Sequence, residues 1–376
     1  MKLSRSNFLH LLRWVAASLV AFSHIRSVIF KNFDAVTGSG LFTKGFYFIT
    51  NLGHQSVIIF FVLSGYLVAG SVIKQVKAKT FNLTTYSINR FSRLYAVLLV
   101  ALLMTLAFDH LGIYFDHIGL YTHKVSFATI DYSIADRLSA GHFFASLFML
   151  QNILLPTLGS NSPLWSLSYE FWYYLLFPCI LLAITYLKSN IKKALIPVIL
   201  LISMSTLLPL GILQYFLIWL FGLIPFYLTL NKAFYKYILL AVLVIWLILK
   251  KSGGIDSFLY DIVLGVIVAF LVAAFKNDDQ PLSNSFLRFN EKLSSFSYSI
   301  YLIHFPTFLL LITLLNNYAI PCTVLPPSIL AYGIFVFVFS VTLIVSYIVA
   351  CYTEFKTPQF RAYLKQIIEK KTIELP

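Results

Sequence analysis

Long apolar stretches separated by short polar clusters recur along almost the whole chain. They fall at 8–30, 46–73, 93–113, 166–187, 194–210, 212–230, 237–250, 257–275, 297–316 and 327–352. A helix needs about 20 residues to cross the hydrocarbon core of a bilayer, so the pattern predicts about ten transmembrane helices. Isolated strands would leave unsatisfied edges in lipid, and the runs lack the alternation of a barrel. The expected fold class is therefore all-α, a polytopic membrane helix bundle. The run 142–155 (HFFASLFMLQNILL) is apolar but short, and reads as a re-entrant or interfacial segment. No internal repeat or low-complexity tract divides the chain, which predicts a single integral membrane domain over 1–376.

Composition narrows the class further. The 376 residues are 59% hydrophobic and only 11% charged, against roughly 25% charged in a soluble domain. A soluble enzyme, a disordered chain and a secreted disulfide scaffold are excluded. Cys179, Cys322 and Cys351 form no CxxC pair and read as small core hydrophobes. The net charge of +14 would suggest nucleic acid in a soluble protein; here it marks cytosolic loops, and no nucleic-acid partner is expected. With the amino terminus inside, inner segments hold 20 Lys and Arg and outer segments 6, while Arg13 and Arg26 lie in the first span. That bias predicts both termini in the cytoplasm. Asn82-Leu83-Thr84 fits a glycosylation sequon but falls on the inner side, so it carries no weight. Arg13, His24 and Arg26 interrupt the first apolar run, so no cleavable signal peptide is expected.

Ionisable groups inside spans cost about 2.5–3.5 kcal/mol each to insert, which makes each a functional candidate. Arg13 and His24 in the first span are 11 residues apart, within about 20° of three helical turns and about 16 Å along the axis. They share one stripe, with Arg13 toward the cytosol and His24 beyond the midplane. The structural alternatives are snorkelling for Arg13 and a helix-contact hydrogen bond for His24. The functional reading is a cation near an anionic donor and a base deeper in the membrane, a role suited to imidazole near neutrality. Arg26, near the outer interface, fits snorkelling.

Elsewhere, Trp165, Ser166 and Glu170 enter the fourth span from outside, with Ser166 and Glu170 at i and i+4. A carboxylate at that depth needs a partner, either the imidazole of His24 or sugar hydroxyls. Trp172, Tyr173 and Tyr174 fit an interfacial aromatic belt. Ser297, Tyr301 and His304 form a polar stripe on the ninth span. Gly65, beside Ser64, suits close helix packing. In the outer segment, Asp116, His117, His123, Asp131, Asp136, Arg137 and His142 match no ligand spacing and read as polar loop, so no metal site is expected.

Four segments recur in a known order: NLGHQSVIIFFVLSGYL from Asn51, YSINRFSRLY with Arg90 and Arg93, NSPLWSLSYEFWYYLLFP from Asn161, and SYSIYLIHFP ending at Pro306. Together with Arg13 and His24 they resemble the acyltransferase-3 family of integral membrane acyltransferases, over about residues 8–358. Bacterial members often O-acetylate cell-surface polysaccharides. This chain departs from the family pattern at Ile58 and Ile59, where an acidic residue often precedes FF, at Ala96, where Pro is usual, and at Glu354-Phe-Lys-Thr-Pro358.

The resemblance implies an O-acyltransferase of the bacterial inner membrane with no fused extracytoplasmic domain. It would carry acetyl from acetyl-CoA to a glycan or lipid-linked sugar. His24 is then the general base or a transient acyl carrier, with Arg13 and Glu170 as further catalytic residues. Arg90 and Arg93, helped by Lys74, Lys77 and Lys79, would hold the coenzyme phosphates, anchoring to anionic lipid being the alternative. Trp165, Ser166, Tyr301 and His304 would meet the substrate. A thioester is already activated, so no metal is expected. The alternatives are a transporter or flippase for a glycan or acyl-bearing small molecule, and a nonenzymatic assembly scaffold.

Overall fold

The computed structural model describes residues 5–125, 127–249, 256–276 and 283–373. Lys2, Lys250 and Lys251, which enter the charge count, lie outside them. The chain is built of helices: α1 (Arg5–Ile29), α2 (Leu41–Thr50), α3 (Gly53–Lys77), α4 (Leu83–Tyr114), α5 (Ala140–Leu147), α6 (Leu164–Ser189), α7 (Ile191–Leu207), α8 (Leu210–Leu220), α9 (Ile224–Tyr227), α10 (Ala233–Leu249), α11 (Ser257–Phe275), α12 (Asn284–Ser295), α13 (Ser297–Tyr318), α14 (Ile329–Tyr352) and α15 (Thr357–Ile373). Among the described residues, eight helices are long and apolar enough to cross a membrane. The expected spans 194–210 and 237–250 fall on α7 and α10, of 17 residues each. Leu195, Ile196, Ile199 and Ile202 on α7, and Val244, Ile245 and Ile248 on α10, are exposed, as side chains facing lipid would be.

Three expected spans change shape. The run 46–73 is two helices, because the chain turns at Asn51 and re-enters at Gly53. A Cβ at Gly53 would lie 2.7 Å from that of Ser23, so only glycine lets the turn press onto α1. The run 93–113 extends back to Leu83, which puts Arg90 and Arg93 inside α4. The run 212–230 bends through a 3-10 turn, Phe221–Leu223, before α9. Segment 142–155 holds only the eight-residue α5, followed by turns with positive φ at Met149 and Asn152. Amphipathic α12 and polar α15 contain no long apolar run and so were not expected from the sequence.

The chain divides into two compact units: Met1–Ala16, Gln55–Asn82 and Tyr169–Ser294 in the first, and Ala17–His54, Leu83–Ser168 and Ser295–Pro376 in the second. In the first unit, Leu9, Leu63, Tyr66 and Val272 pack together, and Phe8 stacks on Phe275 at 4.4 Å. Here α12 grips the beginning of α1. Asn290 accepts from Trp14 Nε1 at 2.7 Å and donates to the Asn7 carbonyl at 2.7 Å, and Ser294 Oγ meets His10 Nδ1 at 2.9 Å. Helix α3 meets the bend after α8 backbone to backbone: a Cβ at Gly65 would stand 1.8 Å from the Trp219 carbonyl oxygen, and one at Gly222 would stand 2.2 Å from Tyr66 N. Gly65 therefore serves close packing. The core of the second unit gathers Ile25, Ile29, Phe305, Phe308, Ile312 and Val338.

Candidate active site

Within the second unit, α1 and α13 bring two imidazoles together. His24 Nδ1 lies 2.9 Å from His304 Nε2, with the rings parallel within 2° and Phe305 edge-on to His24. His304 is fully buried, and its Nδ1 lies 3.0 Å from the Ile300 carbonyl and 2.8 Å from that of Tyr301. Carbonyls only accept, so His304 Nδ1 carries a proton. With both rings neutral, its Nε2 is then an acceptor and His24 Nδ1 the donor. The lone pair of His24 is thereby fixed on Nε2. Ser27 Oγ donates to the His24 carbonyl at 2.7 Å and accepts from Thr129, in the segment between α4 and α5, at 2.7 Å, which secures this end of α1.

Proline shapes α13 beside the pair. Pro306 has no N–H, so the Leu302 carbonyl loses its helical partner. Asn161 Nδ2 takes it at 2.9 Å and also reaches Thr105 Oγ1 at 3.0 Å. The preceding residues are clamped as well: Ser160 donates through N and Oγ to buried Asp109, both at 2.7 Å. Gly159 has φ +50°, and a Cβ there would stand 2.1 Å from Asp109 Oδ2. Tyr132 donates to the Gly159 carbonyl at 3.3 Å under the Arg137 guanidinium, and burial pushes its hydroxyl up to about 12, which keeps it protonated as a donor. Sequence reasoning missed Asn161 and Asp109, although an acid inside an apolar span was a signal available for the second.

Tyr301 donates to the Pro163 carbonyl at 3.1 Å and accepts from Ser166 Oγ at 2.6 Å, so the expected substrate contacts Ser166, Tyr301 and His304 fall in one unit with His24. Trp165 is half-buried at the start of α6. Glu170 belongs to the first unit, where it accepts from Ser64 Oγ at 2.6 Å and from the Tyr174 hydroxyl, while Trp219 Nε1 donates to Ser64 Oγ at 3.1 Å. Tyr173 and Tyr174 are buried and serve interior packing, not a lipid-facing belt. Arg13, half-buried, lies on the stretch of α1 that α12 holds.

On α4, Arg90 lies over the Tyr86 ring at 5.7 Å, and exposed Arg93 is within electrostatic reach of Glu354. Glu354 accepts from Ser299 N at 3.0 Å and from Ser299 Oγ at 2.8 Å, capping the first turn of α13. Lys74 and Lys77, in the first unit, lie over Phe226 and Tyr227. Asp116 accepts three backbone N–H groups, from Gly119, Leu120 and Tyr121, which explains that acid as a turn former. Among the described residues, no three or more His, Cys, Asp or Glu gather as a metal-binding group would require.

A bundle of membrane-length helices carrying these motifs defines an integral membrane acyltransferase. The chain belongs to the acyltransferase-3 family, whose acyltransferase-domain profile matches residues 6–351. Among named relatives, acyltransferase MdmB of Streptomyces mycarofaciens is 31% identical over 175 residues, 44% of this chain. The match spans 37% of that relative's length. No solved structure matches the chain.

Proposed function

We propose that this membrane acyltransferase, acting as one catalytic domain, moves acetyl from cytosolic acetyl-CoA to a hydroxyl of a cell-surface glycan or lipid-linked sugar. Its setting is a bacterial plasma membrane with both termini in the cytoplasm. The observation that carries this reading is the His24–His304 pair, which leaves one imidazole nitrogen ready to accept a proton. His24 Nε2 takes the proton of the acceptor hydroxyl as its oxygen attacks the thioester carbonyl. The tetrahedral adduct collapses, the carbon–sulfur bond breaks, and the imidazolium returns the proton to the departing coenzyme sulfur. Arg13 lines the donor path or steadies the negative oxygen of the adduct. Arg90 and Arg93 grip the coenzyme phosphates. Glu170, held by Ser64 and Tyr174, serves the acceptor, and so do Trp165 and the Ser166–Tyr301 pair.

In this scheme His304 positions His24 instead of touching substrate. His304→Gln keeps an oxygen that accepts from His24 and an amide that donates to the carbonyls, so it retains most activity. His304→Leu lowers kcat about 10²-fold or more with little change in KM for acetyl-CoA, the scale of a lost general base. Equal activity of the two variants would remove this role.

The overall reading is tested by supplying acetyl-labelled acetyl-CoA to membranes with and without the chain and measuring ester-linked label on glycan. Label that does not depend on the chain would overturn it. Arg90→Ala with Arg93→Ala is expected to weaken acetyl-CoA binding at least tenfold, since a charge-assisted bond contributes about 1.5–3 kcal/mol. Unchanged affinity in calorimetry would return both residues to lipid anchoring.

A further inference from the structure

We propose that Arg361, on α15, is a third phosphate-binding cation of the acyl-CoA donor site. The inference rests on the reading that Arg90 and Arg93 hold the donor's phosphates. Arg361 lies beyond the residues that the family profile matches, so the similarity assigns it nothing.

Helix α15 docks on α4 at Phe91 and Ser92, the two residues between Arg90 and Arg93 in the sequence. Phe360 meets Phe91 with ring centres 6.4 Å apart, and Arg361 Nε donates to Ser92 Oγ at 3.3 Å. Ser92 is fully buried, stands between Arg90 and Arg93 in the sequence, and passes its own proton to the Asn89 carbonyl at 3.4 Å. One nitrogen of Arg361 is therefore an anchor. Among the described residues its two terminal nitrogens make no hydrogen bond, which leaves the forked end available to an oxyanion. Arg361 is half-buried, so part of its cost of desolvation is already met before any ligand arrives.

The local charge balance favours an anion. Glu354 is the acid near Arg93, and its Oε2 is already occupied by the N–H and hydroxyl of Ser299. Arg90 and Arg93 stand on this end of α4, Arg361 is tied to Ser92 of the same stretch, and Glu354 is the carboxylate that faces Arg93. Coenzyme A offers a diphosphate and a separate ribose phosphate, more anionic oxygens than two arginines satisfy in bidentate fashion. The headgroup of an anionic lipid presents the same phosphate chemistry, so the test must separate the two sources.

The test uses the full-length protein in nanodiscs, with coenzyme A affinity measured by calorimetry in phosphatidylcholine alone and in phosphatidylcholine with phosphatidylglycerol. Arg361→Gln keeps a donor for Ser92 and removes the charge. It is expected to weaken coenzyme A about tenfold in both discs, the loss of one charge-assisted contact. Arg361→Lys, which keeps the charge but loses the fork, should lose clearly less than Arg361→Gln. Wild-type affinity of Arg361→Gln in neutral discs, or a loss confined to the anionic discs, would overturn the proposal in favour of lipid. An equal loss in Arg361→Lys would overturn it in favour of a docking role for α15. The Arg90→Ala, Arg93→Ala variant separates the two levels. If that variant binds normally, the underlying donor-site reading fails; if it binds weakly while Arg361→Gln binds normally, only Arg361 is removed.

Discussion

Alanine in place of His24 is expected to lower acyl transfer about 10²–10⁴-fold, the range that a positioned general base supplies. The loss should lie in kcat, because His24 is placed to act on the acceptor proton and not to hold the coenzyme. The expectation depends on the fixed tautomer: two carbonyls claim the proton of His304 Nδ1, and the remaining nitrogen claims that of His24. Removing the His24 ring also leaves His304 Nε2 without its donor, at a cost of about 1–3 kcal/mol. Activity must therefore be compared in protein shown to retain its thermal unfolding transition. The measurement is label transfer from acetyl-CoA at matched amounts of folded protein. A variant that transfers at the wild-type rate would take His24 out of the chemistry and leave the pair a structural contact.

Gly65→Ala is expected to have the largest effect on the fold. The added methyl would stand 1.8 Å from the Trp219 carbonyl oxygen and 2.9 Å from its carbon, and neither atom belongs to a side chain that can swing aside. Helix α3 must move away from the bend after α8, which breaks the reciprocal contact at Gly222. The neighbouring bond from Trp219 to Ser64, and with it the setting of Glu170, loses its geometry. Overpacking by a methyl group costs typically about 1–3 kcal/mol where side chains can adjust. With backbone on both sides the loss should exceed that range. Yield of folded protein after detergent extraction, with its melting temperature, reads the effect. A well-folded Gly65→Ala protein with unchanged melting would show that α3 and α8 have slack.

The helices were legible where hydrophobicity alone defines them. The runs at 8–30, 257–275, 297–316 and 327–352 correspond closely to α1, α11, α13 and α14. The break at Asn51 was hidden because apolar residues flank it at 46–49 and 57–63, although Asn51, Gly53, His54, Gln55 and Ser56 form a local turn signal, and the turn is completed by how tightly Gly53 approaches Ser23. Helices α12 and α15 were hidden for the opposite reason. Burial in α12 is confined to one face, at Leu287, Asn290 and Ser294, and the charged residues of both helices read as loop. Arg13 and His24 were visible because charge inside an apolar run is costly enough to need a reason. The partner of His24 was not, since 280 residues separate it from His304 and no local periodicity links them. Likewise Arg361 entered the sequence reading only as one positive charge among the inner segments. Its place beside Ser92 is a product of the docking of α15.

The proline in α13 also ties distant parts of the chain into a single grammatical unit. Pro306 silences one amide, and the carbonyl so released is answered by an asparagine from the loop before α6. Neither residue makes sense alone. Without the proline, Asn161 would compete for an oxygen already spoken for; without the asparagine, the turn of α13 before the proline would carry a vacant acceptor in the buried interior. Descendants of this chain can therefore relinquish the two together far more easily than one at a time.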